Sequence, residues 1–149
     1  MTIEFRKGNL LDAANGIIVH GCNMQGKMGS GVARQIKFKY PECYKTYKKQ
    51  LPMCSLGDCI WHAESEKIWI VNALTQEFYG TNDIHLDYDA LYNCLNSVIN
   101  YASRSDNDIH LPDMIGCGLA GGDRNRVIKI IENLVHRNNF FNTLTIWSL

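Results

Sequence analysis

The stretch Ile17-Ile18-Val19-His20-Gly21-Cys22-Asn23-Met24-Gln25-Gly26-Lys27-Met28-Gly29-Ser30-Gly31-Val32-Ala33 decides how this chain of 149 residues is read. Its apolar, β-branched opening reads as a buried strand covering residues 16–22. A glycine-containing loop, residues 23–30, follows. A helix is then predicted over residues 31–40, with Val32, Ala33, Ile36 and Tyr40 on one face. The same order recurs near the other end. A short strand at 109–112 runs into Ile115-Gly116-Cys117-Gly118-Leu119-Ala120-Gly121-Gly122-Asp123, where Asp123 can N-cap the next helix. Glycine lacks a Cβ, so its backbone N–H groups can approach a phosphate, and the following helix adds free N–H groups and a positive dipole end. Two such loops at the carboxyl ends of strands suit a diphosphate. The alternative is that the glycines only make tight turns.

Outward from these loops, residues 2–7 alternate as a strand does. Pro41 stops the first helix, and residues 42–50 form a short helix with a basic side. Strands at 58–63 and 67–74 are joined through Glu64-Ser65-Glu66, and residues 76–85 form a loop. The helix at 87–103 carries Leu91, Leu95, Val98 and Ala102 on one stripe. Val127, Ile130, Ile131, Leu134 and Val135 keep helical spacing before a final strand at 142–149. Alternating strands and helices predict an α/β layer sandwich, one domain over residues 1–149, with a parallel or mixed sheet.

Composition narrows the function. With 46% hydrophobic and 20% charged residues the chain can bury a core. Its formal net charge of zero argues against gripping nucleic acid by charge alone. The N-terminus lacks the apolar run of a signal peptide and no stretch reaches membrane-span length, so a cytoplasmic location without a membrane partner is expected. The six cysteines read as reduced thiols. Cys54, Cys59 and His62 make at most a partial zinc site, with irregular spacing and no evident fourth ligand. No metal or cofactor is implied.

Two nucleotide motifs are set aside. Neither loop ends in the Lys-Ser/Thr of a nucleoside triphosphate P-loop. Gly116, Gly118 and Gly121 do match the dinucleotide fingerprint, but the next strand ends Thr145-Ile146-Trp147-Ser148-Leu149 without the acidic residue that the fingerprint expects.

Three motifs together carry a family resemblance across nearly the whole chain: Gly8-Asn9-Leu10-Leu11, the Asn23…Met28-Gly29-Ser30-Gly31-Val32-Ala33 loop, and Ile115-Gly116-Cys117-Gly118-Leu119. The chain resembles the macrodomain family. Within it, the sequence is similar to the branch of the terminal ADP-ribose glycohydrolases, the DNA de-ADP-ribosylating antitoxins and the yeast-type ADP-ribose 1″-phosphate phosphatases. The resemblance implies a three-layer α/β/α fold with a central mixed sheet and ADP-ribose in a cleft above it. Asn9 stands where the family usually has an Asp that bonds the adenine amino group, and Leu10 would offer backbone contacts. Asn23 and Gly29, Ser30, Gly31 and Val32 would face the distal ribose. Gly116, Cys117, Gly118, Leu119, Ala120 and Gly121 would wrap the diphosphate. Trp147 matches an aromatic position able to stack on adenine, or else packs in the core.

The resemblance departs at the reacting end. Gln76 stands where the glycohydrolases and antitoxins carry a lysine, and Ala120 where the glycohydrolases carry an Asp. Hydrolysis of ADP-ribose 1″-phosphate to ADP-ribose and phosphate survives better. Its expected acid/base pair is His20 and Asp123, acting across the cleft. For His20 the alternative is a satisfied, half-buried histidine, and for Asp123 a helix cap. Tyr79, Asn82 and Asp83 could close over the distal ribose or be a plain surface loop. Cys22 and Cys117 lie inside the loops, where a thiolate would be favoured. Other readings are a de-ADP-ribosylating hydrolase acting on a modified protein or nucleic acid, and a non-catalytic reader. Lys37, Lys39, Lys45, Lys48 and Lys49 form a basic strip, either a guide for an ADP-ribosylated macromolecule or a solvated face. A monomer is expected.

Overall fold

The computed structural model describes residues 2–79, 85–113, 115 and 122–149. Strands β1 (Thr2–Lys7), β2 (Gly16–Asn23), β3 (Cys59–Ala63), β4 (Ile68–Gln76), β5 (Ile109–Pro112) and β6 (Thr143–Ser148) form one sheet in the order β1-β6-β5-β2-β4-β3. All neighbours run parallel except β3, which is antiparallel to β4. The helices are α1 (Gly31–Lys39), α2 (Pro41–Gln50), α3 (Tyr88–Ser105) and α4 (Arg124–Arg137). This is the expected three-layer α/β/α arrangement with a mixed sheet.

Side-chain parity along β2 builds the layers. Ile17 and Val19 join Leu91, Leu95 and Val98 of α3 and Val127 and Ile131 of α4 in one cluster. Ile18 faces the opposite way, among Ile36 of α1, Cys43 of α2 and Leu10 and Leu11. Further along that second face, Cys22 meets Met28, Tyr47, Ile60 and Leu74. A central parallel strand is buried on both faces, which explains its unbroken apolar run.

Local rules set the ends. The Asp87 side chain caps α3 by accepting from Ala90 N at 2.9 Å. Pro41 both follows α1 and opens α2 at its first turn, where its missing N–H costs nothing. Two short 3₁₀ turns, Leu10–Asp12 and Leu51–Met53, were not expected from the sequence. Among the described residues no helix is long and apolar enough to cross a membrane.

The topology positions the site. After β2 the chain crosses to α1 on one face of the sheet, whereas after β5 it proceeds to α4 on the other. Strands β2 and β5 are neighbours. Their carboxyl ends therefore flank a crevice of the kind in which open α/β sheets bind ligands.

Candidate functional site

One wall of the crevice is the loop after β2. Asn23, only 7% exposed, organises it. The Asn23 Oδ1 accepts from Gln25 N at 3.0 Å, Lys27 N at 3.3 Å and the Tyr47 hydroxyl at 3.0 Å, while Nδ2 donates to Lys27 O at 2.9 Å. Tyr47, fully buried on α2, also donates to Asn23 O at 2.5 Å. The Asn23 amide is thus turned into the loop. Met24 N and Gln25 Nε2 bond Glu77 O at 3.1 and 3.2 Å, which ties the loop to the end of β4.

The tip of the loop is open. Gly29, Ser30 and Gly31 are exposed, and a Cβ on Gly29 would meet nothing within 4 Å. Gly31 has φ +61, which glycine adopts without strain. Ser30 precedes α1 but makes no side-chain cap bond, so the first N–H groups of α1 keep their hydrogen-bonding capacity. Val32 is half-buried against the Ile18 cluster. Beside the tip is a pocket of about 370 Å³ lined by Met28, Gly29, Arg34, Lys37 and Phe38.

At the edge of the sheet, Asn9 follows β1. Its Oδ1 accepts from Leu11 N at 2.9 Å and caps the 3₁₀ turn, with Leu10 buried behind it. Trp147, 7% exposed, donates its indole N–H to His110 Nδ1 at 3.0 Å, and His110 Nε2 in turn donates to Asn15 O at 2.9 Å. Burial pushes the His110 pKa down, so the ring is the neutral Nε2–H tautomer that this chain of bonds requires. The Arg6 guanidinium lies 4.7 Å over the Trp147 ring, and a Cβ on Gly8 would come within 3.3 Å of it. Trp147 is therefore a core residue of the Leu10–Ile18 cluster, stacked with Arg6.

The structure does not bring His20 and Asp123 together. His20 shares parity with Ile18 and is only 1% exposed, on the sheet face that α1 and α2 cover. Its Nε2 lies 2.6 Å from Oδ1 of Asn72, its neighbour on β4. Asn72 Nδ2 donates to Ile60 O at 3.2 Å, which fixes the amide and makes His20 Nε2 the donor. Burial lowers the His20 pKa to about 4, against a smaller raising effect from the Asn72 bond. Asp123 belongs to the opposite layer: it caps α4, accepting from Asn125 N at 3.0 Å, and its own N–H donates to the Tyr88 hydroxyl at 2.7 Å. The expected pair is thus a neutral core histidine and a helix cap on opposite sides of the sheet.

Other expected positions resolve as follows. Gly116, Cys117, Gly118, Leu119, Ala120 and Gly121, with Asn82 and Asp83, lie outside the described residues. Cys22 is buried and its thiol pKa is pushed well up, so it is no ready nucleophile. Cys54 Sγ bonds Gln50 O at 3.3 Å, Cys59 Sγ lies 3.6 Å from Cys94 O, and His62 Nδ1 lies 2.8 Å from the Thr46 hydroxyl. Along the basic strip, Lys39 Nζ bonds Leu11 O at 2.7 Å, Lys45 pairs with Glu42 at 3.0 Å, and Lys37 lies 4.3 Å over the Tyr44 ring. Tyr79 is exposed just after β4.

Sequence reasoning missed Asn72, Tyr47, His110 and Thr75. Asn72 had a signal, being the one polar residue within Ile68–Leu74 of β4. Thr75 had none: its buried hydroxyl has no partner among the described residues and would lie 2.8 Å from a Cβ on Gly21.

Comparisons with known proteins agree with this fold. The sequence pattern described as "Macro domain" matches residues 19–131. An uncharacterised 17.5 kDa protein of Enterobacteria phage T4 is 28% identical over 142 residues, 89% of each chain. The ADP-ribose 1″-phosphate phosphatase of Saccharomyces cerevisiae is 31% identical over 90 residues, covering 54% of this chain and 49% of the yeast protein. The match thus spans about half of that phosphatase. Among solved structures, the macrodomain of Thermus aquaticus DarG superposes with a TM-score of 0.83 at 21% identity, over 99% of both chains. Thermosipho africanus DarTG in complex with ADP-ribose superposes with a TM-score of 0.80 at 15% identity, over 98% of this chain and 42% of that one. At these identities the structural likeness is one of fold.

Proposed function

The chain belongs to the Macro domain family, and we propose that it binds ADP-ribose or a close derivative along the carboxyl edge of its sheet. One observation carries this: the uncapped start of α1 behind exposed Gly29-Ser30-Gly31, at a crevice where neighbouring strands send their chains to opposite faces. In this reading the base lies near Asn9 and Leu10, and the diphosphate lies at the glycines after β5. The distal ribose then meets Gly29, Ser30, Gly31 and Val32. From β1 to β2 the sheet spans three inter-strand spacings, roughly 14 Å, which calls for a ligand with two well-separated ends. The Asn23–Tyr47 bonds would hold the ribose wall in shape. Calorimetric titration tests the reading. ADP-ribose should bind saturably at one site, with AMP and ribose 5-phosphate each much weaker. No heat from ADP-ribose at millimolar concentration refutes it.

The likeness to the yeast phosphatase favours a finer reading, hydrolysis of ADP-ribose 1″-phosphate to ADP-ribose and phosphate. Water would attack phosphorus, the bond to the ribose oxygen would break, and open N–H groups would take the developing charge. His20 and Asp123 would support this indirectly, one bracing β2 under the first loop and the other starting α4. Phosphate release by the wild-type protein is the test, with His20→Ala and Asp123→Ala alongside. Absence of release with ADP-ribose binding intact would leave a reader, or a hydrolase of another ADP-ribose linkage.

A further inference from the structure

We propose that Cys59 and Cys94 form an oxidative modification site, at which a peroxide joins the two thiols in a reversible disulfide that fastens the edge strand β3 to α3. The inference stands independently of the binding reading above.

The two cysteines are 35 residues apart in the chain, and the fold sets them side by side. Side chains alternate along β3, so Cys59 and Trp61 share the face that α3 covers. Trp61 meets Tyr101 of α3 there, with ring centroids 5.1 Å apart. Two turns earlier on α3 stands Cys94. Its Sγ donates to Gly57 O at 3.2 Å and lies 3.4 Å from Asp58 O, in the backbone that leads into Cys59. In the other direction, Cys59 Sγ lies 3.6 Å from Cys94 O. A carbonyl oxygen sits about 2.4 Å from its own Cα, so Cys59 Sγ is no more than about 6 Å from Cys94 Cα. The backbones approach this closely because small residues face each other: a Cβ on Gly57 would lie 3.6 Å from the Cα of Ala90, one turn before Cys94. The two thiols also share a hydrogen bond, which together with burial pushes the Cys94 pKa up. A disulfide needs two cysteines whose Cα atoms are about 4.4–6.8 Å apart and whose side chains converge, and these side chains converge.

Exposure divides the roles. Cys59 is half-buried and open to a small oxidant, whereas Cys94 is fully buried behind it. The Cys59 sulfur attacks the peroxide: an S–O bond forms, the O–O bond breaks, and one water leaves a sulfenic acid. The Cys94 sulfur then attacks the Cys59 sulfur. The S–S bond forms, the S–O bond breaks, and the hydroxyl departs with the Cys94 proton as a second water. Two thiols are oxidised and one peroxide is reduced, and a dithiol reverses the change. The bond matters where it falls. Strand β3 ends the sheet and pairs only with β4. A covalent tie to α3 gives it a second hold and shortens the unfolded chain by a closed loop.

The test uses the Cys54→Ser protein, because trypsin then leaves Cys59 as the one cysteine of residues 50–67 and Cys94 as the one cysteine of residues 68–104. The folded protein is treated with hydrogen peroxide, remaining thiols are alkylated in denaturant, and the digest is mapped by mass spectrometry without reductant. The two peptides should appear joined, and dithiothreitol should part them. Oxidation should raise the melting temperature by about 5–10 °C, and dithiothreitol should reverse the rise. Adding Cys59→Ser should remove both the joined peptide and the reversible rise. Recovery of Cys59 as a sulfinic acid, as an alkylated thiol or in a link to another cysteine overturns the inference. A Cys59–Cys94 link that lowers the melting temperature overturns it too, since the pair would then close only by distorting the fold.

Discussion

His20 makes the protein acid-sensitive by an amount that follows from its burial. Unfolded, its imidazole titrates near 6.5; folded, burial lowers that to about 4. Above 6.5 both states hold the ring neutral and nothing is lost. Between 6.5 and about 4 the unfolded chain binds a proton that the folded chain refuses, so stability falls as the pH falls. Each pH unit of that mismatch is worth about 1.4 kcal/mol, so the whole interval amounts to about 3 kcal/mol. That is a large part of the roughly 5–15 kcal/mol that holds a domain folded. The groups facing His20 do not offset it. Asn72 is neutral, and burial raises the pKa values of the Cys22 and Cys43 thiols, keeping both uncharged. The control is His20→Gln, which keeps an N–H donor and does not titrate. Urea unfolding of both proteins at about pH 7 and about pH 4.5 gives the double difference, in which all other carboxylates and histidines cancel. The wild type should lose about 2–3 kcal/mol more than the variant on acidification. Equal losses in both proteins would refute the buried, neutral His20.

Four further outcomes follow from single contacts. Thr75→Val removes a buried hydroxyl with no partner among the described residues and should raise stability by about 1 kcal/mol, seen as a higher melting temperature. Gly21→Ala should cost about 1–3 kcal/mol because its Cβ meets the Thr75 hydroxyl, and much less in a Thr75→Ala background; equal costs in both backgrounds would deny the contact. Tyr47→Phe strips the Asn23 loop of two bonds, so it should cost about 1–2 kcal/mol and weaken ADP-ribose binding several-fold; an unchanged affinity would mean that the loop does not touch the ligand. Asp123→Ala should cost about 1 kcal/mol as a lost helix cap while Asp123→Asn costs little, and loss of phosphate release in a fully stable Asp123→Asn protein would give the carboxylate a chemical role instead.

The layers were legible because the signals were local and repeated. The apolar run at Ile17–Val19, the stripe Leu91–Leu95–Val98 and the spacing of Val127, Ile131 and Leu134 each announce an element through its own period. Boundaries were less so. Strand β4 runs on to Gln76, beyond its apolar run, because the sheet continues to pair there: Asn23 of β2 lies opposite Gln76. Pro41 was read only as a stop, yet a residue that ends one helix serves equally to begin another when the chain turns at once.

The site was legible as a place but not as a set of roles, and His20 and Asn9 show why. A histidine at the end of a strand beside a glycine loop invites a catalytic reading. Parity with Ile18 instead sends His20 to the face that α1 and α2 cover, whereas Asp123 starts a helix on the other face. Parity alone was available from the sequence. The layer each helix would cover was not, since that depends on the crossing after β2 and after β5. The same limit applies to Asn9. Its identity was plain, and an asparagine oxygen could be expected to replace a carboxylate as acceptor. Only the fold reveals that this oxygen also caps the next turn by accepting from Leu11 N. What a polar side chain offers a ligand is what its own turn leaves open, here the second lone pair of Oδ1 and the Nδ2 donors.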